Sequence, residues 1–288
     1  MARQLVAGAS AGARRGTGRM NAAAEAAALR AYTVAINRQP CRVWEKGEGA
    51  PLVFLAGFGG LPRWSECLEQ LSASRRVIAP SLPGFPGSPA IGPLYTHLDW
   101  LLAAQDLIRG AHIERCDLMG VSFGAALAAD VAALWPDLVD RLVLVSALGL
   151  FDENDPSADP FAQRPEELPA LLCKHPERYV AHTGLPEGAD PIEWTVTTTR
   201  AREAAARLLW PIGDTGLAGR LHRIGHSTLL VWGSDDRIVP ASYHARFAQG
   251  IAGSAQVELI DSAGHMVDLD APGKLAQRVA AFLNRPPS

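Results

Sequence analysis

The stretch that most restricts this chain is Gly120-Val121-Ser122-Phe123-Gly124. It follows Arg115-Cys116-Asp117-Leu118-Met119, which reads as a short strand. It leads directly into the alanine-rich run Ala125 to Leu134, which reads as a helix. A strand that turns into a helix this tightly leaves no room for side chains two positions before and two after the apex. Glycine at both positions meets that demand. The apex residue, Ser122, is then expected to hold its Oγ clear of the backbone, with the first amides of the new helix behind it.

The rest of the chain supplies a matching frame. From Tyr32 onward, strands are expected at 32–37, 41–45, 51–56, 76–79, 141–145, 228–232 and 256–260, besides the one before Gly120. The first two alternate and suit an antiparallel hairpin, whereas Pro51 to Ala56 is a continuous apolar run, as in a strand buried on both faces. Helices are expected at 64–73, 97–111 and 271–283 and after Pro240. This alternation predicts an α/β fold built on a doubly wound, mostly parallel sheet. Between about Ala147 and Gly216 the rhythm stops. Asp155-Pro156, Asp159-Pro160 and Arg164-Pro165 mark loops, and helical pieces are expected at 165–173, 176–182 and 192–209. The expected organisation is a core of residues 31–146 and 217–288 with an inserted helical cap at 147–216.

Residues 1–30 are expected to form a disordered or non-core tail. Its first twenty residues carry Arg3, Arg14, Arg15 and Arg19, no acid and no hydrophobic periodicity, and no apolar stretch follows Arg14-Arg15 to make a secretory signal. The chain has 288 residues, 48% hydrophobic and 20% charged, with a net charge of −3. That balance is ordinary for a soluble enzyme and points to neither nucleic acid nor an anionic membrane as partner. No run of about 18 apolar residues suggests membrane insertion. Cys41, Cys67, Cys116 and Cys173 lie far apart without a Cys-x-x-Cys pair. A disulfide framework or zinc site is therefore not expected, and a reducing cytoplasm is the expected location.

A serine hydroxyl needs a base to become a nucleophile at neutral pH, and a histidine base needs a carboxylate to fix its tautomer. Two loops after strands offer these groups. Leu229-Leu230-Val231-Trp232 is followed by Gly233-Ser234-Asp235-Asp236-Arg237-Ile238-Val239-Pro240, and Val257-Glu258-Leu259-Ile260 by Asp261-Ser262-Ala263-Gly264-His265. Charge developing on a carbonyl oxygen also needs donors already in place. The N–H of Phe123 is one candidate. The loop Ala56-Gly57-Phe58-Gly59-Gly60 supplies another, the N–H of Phe58. The remaining histidines match no motif and form no metal-ligand pair, so neither metal nor cofactor is expected.

With Gly-x-Ser-x-Gly, Gly-x-x-Asp-x-x-Val-Pro and Ala-Gly-His in this order, the chain from about Tyr32 resembles the α/β-hydrolase superfamily. It is most similar to its serine-nucleophile branch with a helical cap, which includes esterases and meta-cleavage product hydrolases. The resemblance implies Ser122 as nucleophile, His265 as base and then acid, and Asp236 as its orienting carboxylate. Asp235 would then cap the following turn or face solvent. Similar enzymes usually open the oxyanion loop with His-Gly, and here Ala56 replaces the histidine. The loop Ser81 to Ser88 resembles one that normally opens with aspartate and is expected to shape the pocket. Phe58, Phe123, Phe85, Trp194 and Met266 are candidate pocket residues for a small-molecule substrate.

The leading expectation is hydrolysis of a carboxylic ester of a small, largely apolar substrate through an acyl-enzyme. Serine at the elbow argues against the haloalkane dehalogenase and epoxide hydrolase branches, which use aspartate there. The alternative is a carbon–carbon bond hydrolase of meta-cleavage products, suited by the overall length and by Leu209 to Leu217. Those enzymes commonly carry asparagine before the nucleophile and tryptophan after the histidine, where this chain has Val121 and Met266. Arg200 or Arg202 on the expected cap helix is a candidate for binding a substrate carboxylate. Cofactor-free haloperoxidases share the triad, and a non-catalytic ligand receptor on the same fold is the reading from outside enzymology.

Overall fold

A computed structural model describes residues 28–88 and 92–285. The expected N-terminal tail therefore lies almost wholly outside the described residues. Eight strands form one sheet in the order β1-β2-β4-β3-β5-β6-β7-β8. β1 (Arg30–Ile36) and β2 (Gln39–Lys46) are the expected antiparallel hairpin. Asn37 and Arg38 turn it with φ of 50° and 65°, the left-handed conformation that suits a two-residue hairpin turn. β2 also runs antiparallel to β4 (Arg76–Pro80). From there the sheet is parallel through β3 (Pro51–Leu55), β5 (Cys116–Val121), β6 (Val139–Val145), β7 (Thr228–Gly233) and β8 (Ala255–Ile260).

The central strands are continuous apolar runs because both of their faces are covered. Every residue of β5 and of β7 is buried. β8 is an edge strand, and its burial alternates, leaving Val257 and Leu259 exposed. The helices of the core are α1 (Glu66–Ser72), α2 (His97–Gly110) and α3 (Phe123–Leu134), with α7, α8 and α9 at Tyr243–Gly250, Val267–Asp270 and Pro272–Leu283. α2 starts at a capping box in which Thr96 and Asp99 satisfy each other's backbone N–H groups. α3 begins at Phe123, two residues before the alanine run, because the chain enters helical geometry directly from Ser122.

Between β6 and β7 no strand occurs among the described residues. This segment holds α4 (Leu168–Leu172), α5 (Pro176–Thr183) and α6 (Pro191–Leu209). α4 starts three residues later than expected, because Arg164 to Glu167 closes into a turn. α6 is capped by Asp190, whose side chain accepts from the N–H groups of Ile192 and Glu193.

Two sets of buried charges carry consequences. Asp130 on α3 is fully buried and accepts from Arg220 Nε and Nη2 and, at 2.8 Å, pairs with His97 Nε2. This carboxylate joins α2, α3 and the chain that returns from the inserted segment to β7. Elsewhere, Asp268 of α8 and His182 of α5 border a cavity of about 310 Å³ together with Arg63 and Arg178. Burial pushes the Asp268 carboxyl up to about 7 and the His182 imidazole down to about 4. Among the described residues Asp268 Oδ1 has no hydrogen-bond partner.

Two outcomes follow for stability. Replacing Arg220 by Met leaves Asp130 without its main countercharge and is expected to cost about 3–5 kcal/mol in chemical denaturation. Asp268 has a folded-state pKa above its unfolded value, so its favourable contribution exists at low pH and is lost as pH rises from about 4 through about 7. Asp268→Asn lacks that loss. Relative to wild type it should gain roughly 2–3 kcal/mol between pH 5 and pH 8, read from denaturation midpoints at the two values.

Candidate active site

The apex of the strand–helix turn is as tight as the glycines imply. A Cβ on Gly120 would lie 2.2 Å from the carbonyl oxygen of Gly124, and one on Gly124 would lie 2.3 Å from that of Leu55. Ser122 itself adopts φ 58° and ψ −123°, an unfavourable conformation for a residue with a side chain. Strain of this type costs on the order of 1–3 kcal/mol and persists only where surrounding contacts impose it. Here the N–H of Ser122 donates to Val145 at 2.9 Å, and its carbonyl accepts from Ala125 and Ala126. The strand on one side and the helix on the other thus hold the apex.

Three side chains converge at this point. His265 Nε2 lies 2.7 Å from Ser122 Oγ. His265 Nδ1 lies 3.0 and 3.1 Å from the two carboxylate oxygens of Asp236. Asp236 Oδ1 also accepts from the N–H groups of Ile238 and Val239, each at 2.9 Å, so the loop after β7 clamps the carboxylate. The side chains of His265 and Asp236 are 1% and 0% exposed. With the proton on Nδ1 shared with Asp236, Nε2 is free to accept from the serine hydroxyl. Asp235 stands apart. It is paired with Lys174 and Ser234, and the bond from Lys174 holds its carboxyl below the usual range.

The loop after β3 lies directly beside the serine. A Cβ on Gly57 would be 3.1 Å from Ser122 Cβ and 3.3 Å from Met266 Cε. Gly60 N–H closes the turn onto the Gly57 carbonyl at 2.9 Å, and Gly59 and Gly60 both have positive φ. The N–H of Phe58 donates to no backbone carbonyl among the described residues. The N–H of Phe123, at the first helical position, has no acceptor within the helix. The bracing that Ala56 does not provide comes from elsewhere. Arg42 Nη2 donates to the carbonyls of Leu61 at 2.6 Å and Pro86 at 3.0 Å and to Ser81 Oγ at 3.1 Å. Its guanidinium lies 3.5 Å above the Trp44 ring. One side chain from β2 therefore fixes the loop after β3 and the loop after β4 against each other.

A cavity of about 500 Å³ opens beside Phe58 and is bordered by Tyr179, Thr183, Leu185, Trp194 and Arg202 among others. Its wall is chiefly apolar, with hydroxyl groups and one guanidinium. Neither Ser122 nor His265 is in its wall; Phe58 and Gly59, which are, belong to the loop whose Gly57 adjoins Ser122. Of the expected pocket residues, Phe58 and Trp194 border the cavity. Phe85 does not: it is 2% exposed and packs on Phe123 and Trp100, with ring centroids 5.3 and 6.5 Å away. Met266 is buried between His265 and Gly57, with its N–H bonded to Leu172. Arg202 reaches the cavity while donating to the Gln163 carbonyl at 3.1 Å, whereas Arg200 borders a separate surface groove. Sequence reasoning missed Arg42. Its partners are backbone carbonyls of two distant loops, which leave no motif. Among the described residues, no group of three or more His, Cys, Asp or Glu side chains could hold a metal ion. No described helix is long and apolar enough to cross a membrane.

Comparison with known proteins bears on the family and the fold. A 2-hydroxymuconate semialdehyde hydrolase from Pseudomonas sp. (strain CF600) is 28% identical over 251 residues, covering 83% of this chain and 88% of that one. The dihydrolipoyllysine-residue acetyltransferase component of the acetoin cleaving system of Pseudomonas putida is 32% identical over 257 residues. That match covers 82% of this chain but spans only 64% of the relative's length. The solved meta-cleavage product hydrolase from Pseudomonas fluorescens IP01 superposes with a TM-score of 0.70 at 18% identity, covering 88% of this chain and 97% of that one. At that identity the likeness speaks for the fold. The model of the alpha/beta hydrolase family matches residues 52–278, the span that contains the whole Ser122, Asp236 and His265 arrangement, and the chain belongs to that family.

Proposed function

We propose that the protein is a serine hydrolase that attacks a carbonyl carbon of a small, largely apolar substrate, with a carboxylic ester as the leading substrate type. The observation that carries this reading is the unbroken relay from Ser122 Oγ through His265 to Asp236, at 2.7 and 3.0 Å, with a mostly apolar cavity bordered by Phe58 of the adjoining loop. Ser122 Oγ adds to the carbonyl carbon as His265 Nε2 takes its proton, and Asp236 stabilises the imidazolium. The oxyanion meets the N–H groups of Phe123, next to the serine, and of Phe58, on the adjoining loop, which have no competing acceptor in their own segments. His265 returns the proton to the departing alcohol, and water then releases the acid by the same steps in reverse order. The helices between β6 and β7 act as a cap that selects the substrate, since Tyr179, Trp194 and Arg202 of the cavity wall all come from them.

A second reading has its own support. Relatives named 2-hydroxymuconate semialdehyde hydrolase and 2-hydroxy-6-oxo-2,4-heptadienoate hydrolase cover 83% and 82% of the chain. In such a reaction the same nucleophile would attack a ketone, and the leaving group would be a carbon that must be stabilised as an enolate. Val121 and Met266 supply no polar group for that purpose, which favours the ester. Met266 is 1% exposed, in apolar surroundings.

Steady-state hydrolysis of p-nitrophenyl acetate and butyrate tests the assignment, alongside ring-cleavage dienes as competing substrates. Ser122→Ala should lower kcat by at least about 10⁴-fold, and Asp236→Asn by about 10³–10⁴-fold through loss of the correct histidine tautomer. Retention of wild-type turnover in Ser122→Ala would rule out the nucleophile. Turnover of dienes with none of esters would transfer the assignment to carbon–carbon cleavage.

A further inference from the structure

Asp270 ends α8, five residues beyond His265, and has no part in the reaction just described. Its side chain lies in the interior, 5% exposed. Oδ2 accepts from the backbone N–H groups of Gly264 and Lys174, both at 2.7 Å, and Oδ1 accepts from that of His175 at 3.0 Å. Gly264 immediately precedes His265. Lys174 and His175 form the bend between α4 and α5. A single carboxylate therefore joins the loop that carries the base to the segment that enters α5, and α5 supplies Tyr179 and Thr183 to the cavity wall.

Neighbouring bonds run in the same direction. Met266 N–H donates to the Leu172 carbonyl at 2.9 Å, and Arg178 Nη1 donates to the Leu269 carbonyl at 3.1 Å. Gly264 lies tight against the bend, with no room for a side chain: a Cβ there would lie 2.7 Å from the Lys174 nitrogen. The chemistry of the junction calls for an acceptor with two oxygens. Three N–H donors converge on it, an ionised carboxylate can accept all three, and charge-assisted bonds of this kind are the stronger ones. An amide of the same shape would turn its own N–H groups toward one of those donors.

We propose that Asp270 is a positioning residue for the hydrolysis: it holds the base loop and the α4–α5 bend in one register, so that His265 Nε2 remains within reach of Ser122 Oγ when the cavity fills. The proposal rests on the assignment of Ser122 as nucleophile. A supporting shell of this type matters because catalytic groups must be held within about 0.5 Å of their productive positions. It also links cavity occupancy to the base, since a substrate pressing on α5 loads the same junction.

The test uses a p-nitrophenyl alkylphosphonate on the full chain. Ser122 Oγ forms the bond to phosphorus, p-nitrophenolate leaves, and the serine proton passes to His265. The release of nitrophenolate yields kinact and KI separately. In Asp270→Asn, kinact should fall about 10- to 100-fold with KI changed less than about threefold, the loss expected of a base displaced by up to about 1 Å. Asp270→Glu, which keeps both acceptor oxygens, should recover most of the loss. A folded Asp270→Asn protein with wild-type kinact would overturn the proposal, even if its Tm were lower. Should the asparagine variant fail to fold, amide exchange on the wild-type protein decides. The N–H groups of Gly264, Lys174 and His175 should exchange slowly and together, and slow further on phosphonylation. Fast, independent exchange at Lys174 and His175 would overturn it. Wild-type protein that neither reacts with the phosphonate nor hydrolyses esters would instead remove the Ser122 assignment and this proposal with it.

Discussion

The contact on which the rest of the site depends is the one between α3 and the end of β3. Gly124 is so close to the carbonyl oxygens of Leu55 and Ala56 that any side chain there would collide with them. This approach does two things at once. It sets the helix low enough on the sheet to force Ser122 into its positive-φ conformation, and it brings the loop after β3 alongside the serine. Ser122 and the loop that carries Phe58 are thereby neighbours through backbone packing alone. Side-chain size in α3 follows from the same constraint: alanine recurs along it because the helix has little clearance above β5 and β6.

The same logic explains why strain at Ser122 is tolerated. Its N–H and carbonyl are bonded to Val145 and to the first turn of α3, so relaxing the dihedral would break bonds in the sheet and in the helix together. α3 is buried from Phe123 to Ala133, and Asp130 ties it to its neighbours. Through Arg220 and His97 it anchors both α2 and the chain returning to β7, the strand whose following loop carries Asp236. The positions of Asp236 and Ser122 are therefore referred to a common element.

Much of this was legible from the residues. Gly120, Ser122 and Gly124 announce the turn because their constraint is local, and the apolar runs announce the buried strands because burial on both faces requires them. Asp236 and His265 were legible because each follows a recognisable strand within a few residues, and the resemblance to the hydrolase family set Asp236 above its neighbour Asp235. Phe85, Met266, Arg42 and Asp270 were legible in varying degree or not at all, and the reason is physical. An aromatic residue in a Gly- and Pro-rich loop reads alike whether it borders a cavity or packs into the core, as Phe85 does against Phe123. Arg42 and Asp270 bond almost entirely to backbone groups, and backbone groups have no identity in a sequence. Nothing in the residue types at 61, 86, 174 or 264 marks them as partners.

The inserted segment shows where this limit bears on function. Its helices were foreseeable from prolines and periodicity, but its attachment to the base loop was not. Leu172 accepts from Met266, Arg178 reaches Leu269, and Asp270 gathers the two amides of the bend. Every one of these links falls within residues 172–178, while α6 and the proline-rich loop before α4 carry none of them. The segment is fastened to the core elsewhere as well: Ala158 N–H donates to the Ile238 carbonyl at 2.8 Å, and Arg63 Nη2 donates to the Gly184 carbonyl at 2.6 Å. Among the described residues of the inserted segment, those at 172–178 are the ones that share hydrogen bonds with the loop of His265, so a shift of that bend would carry the loop with it.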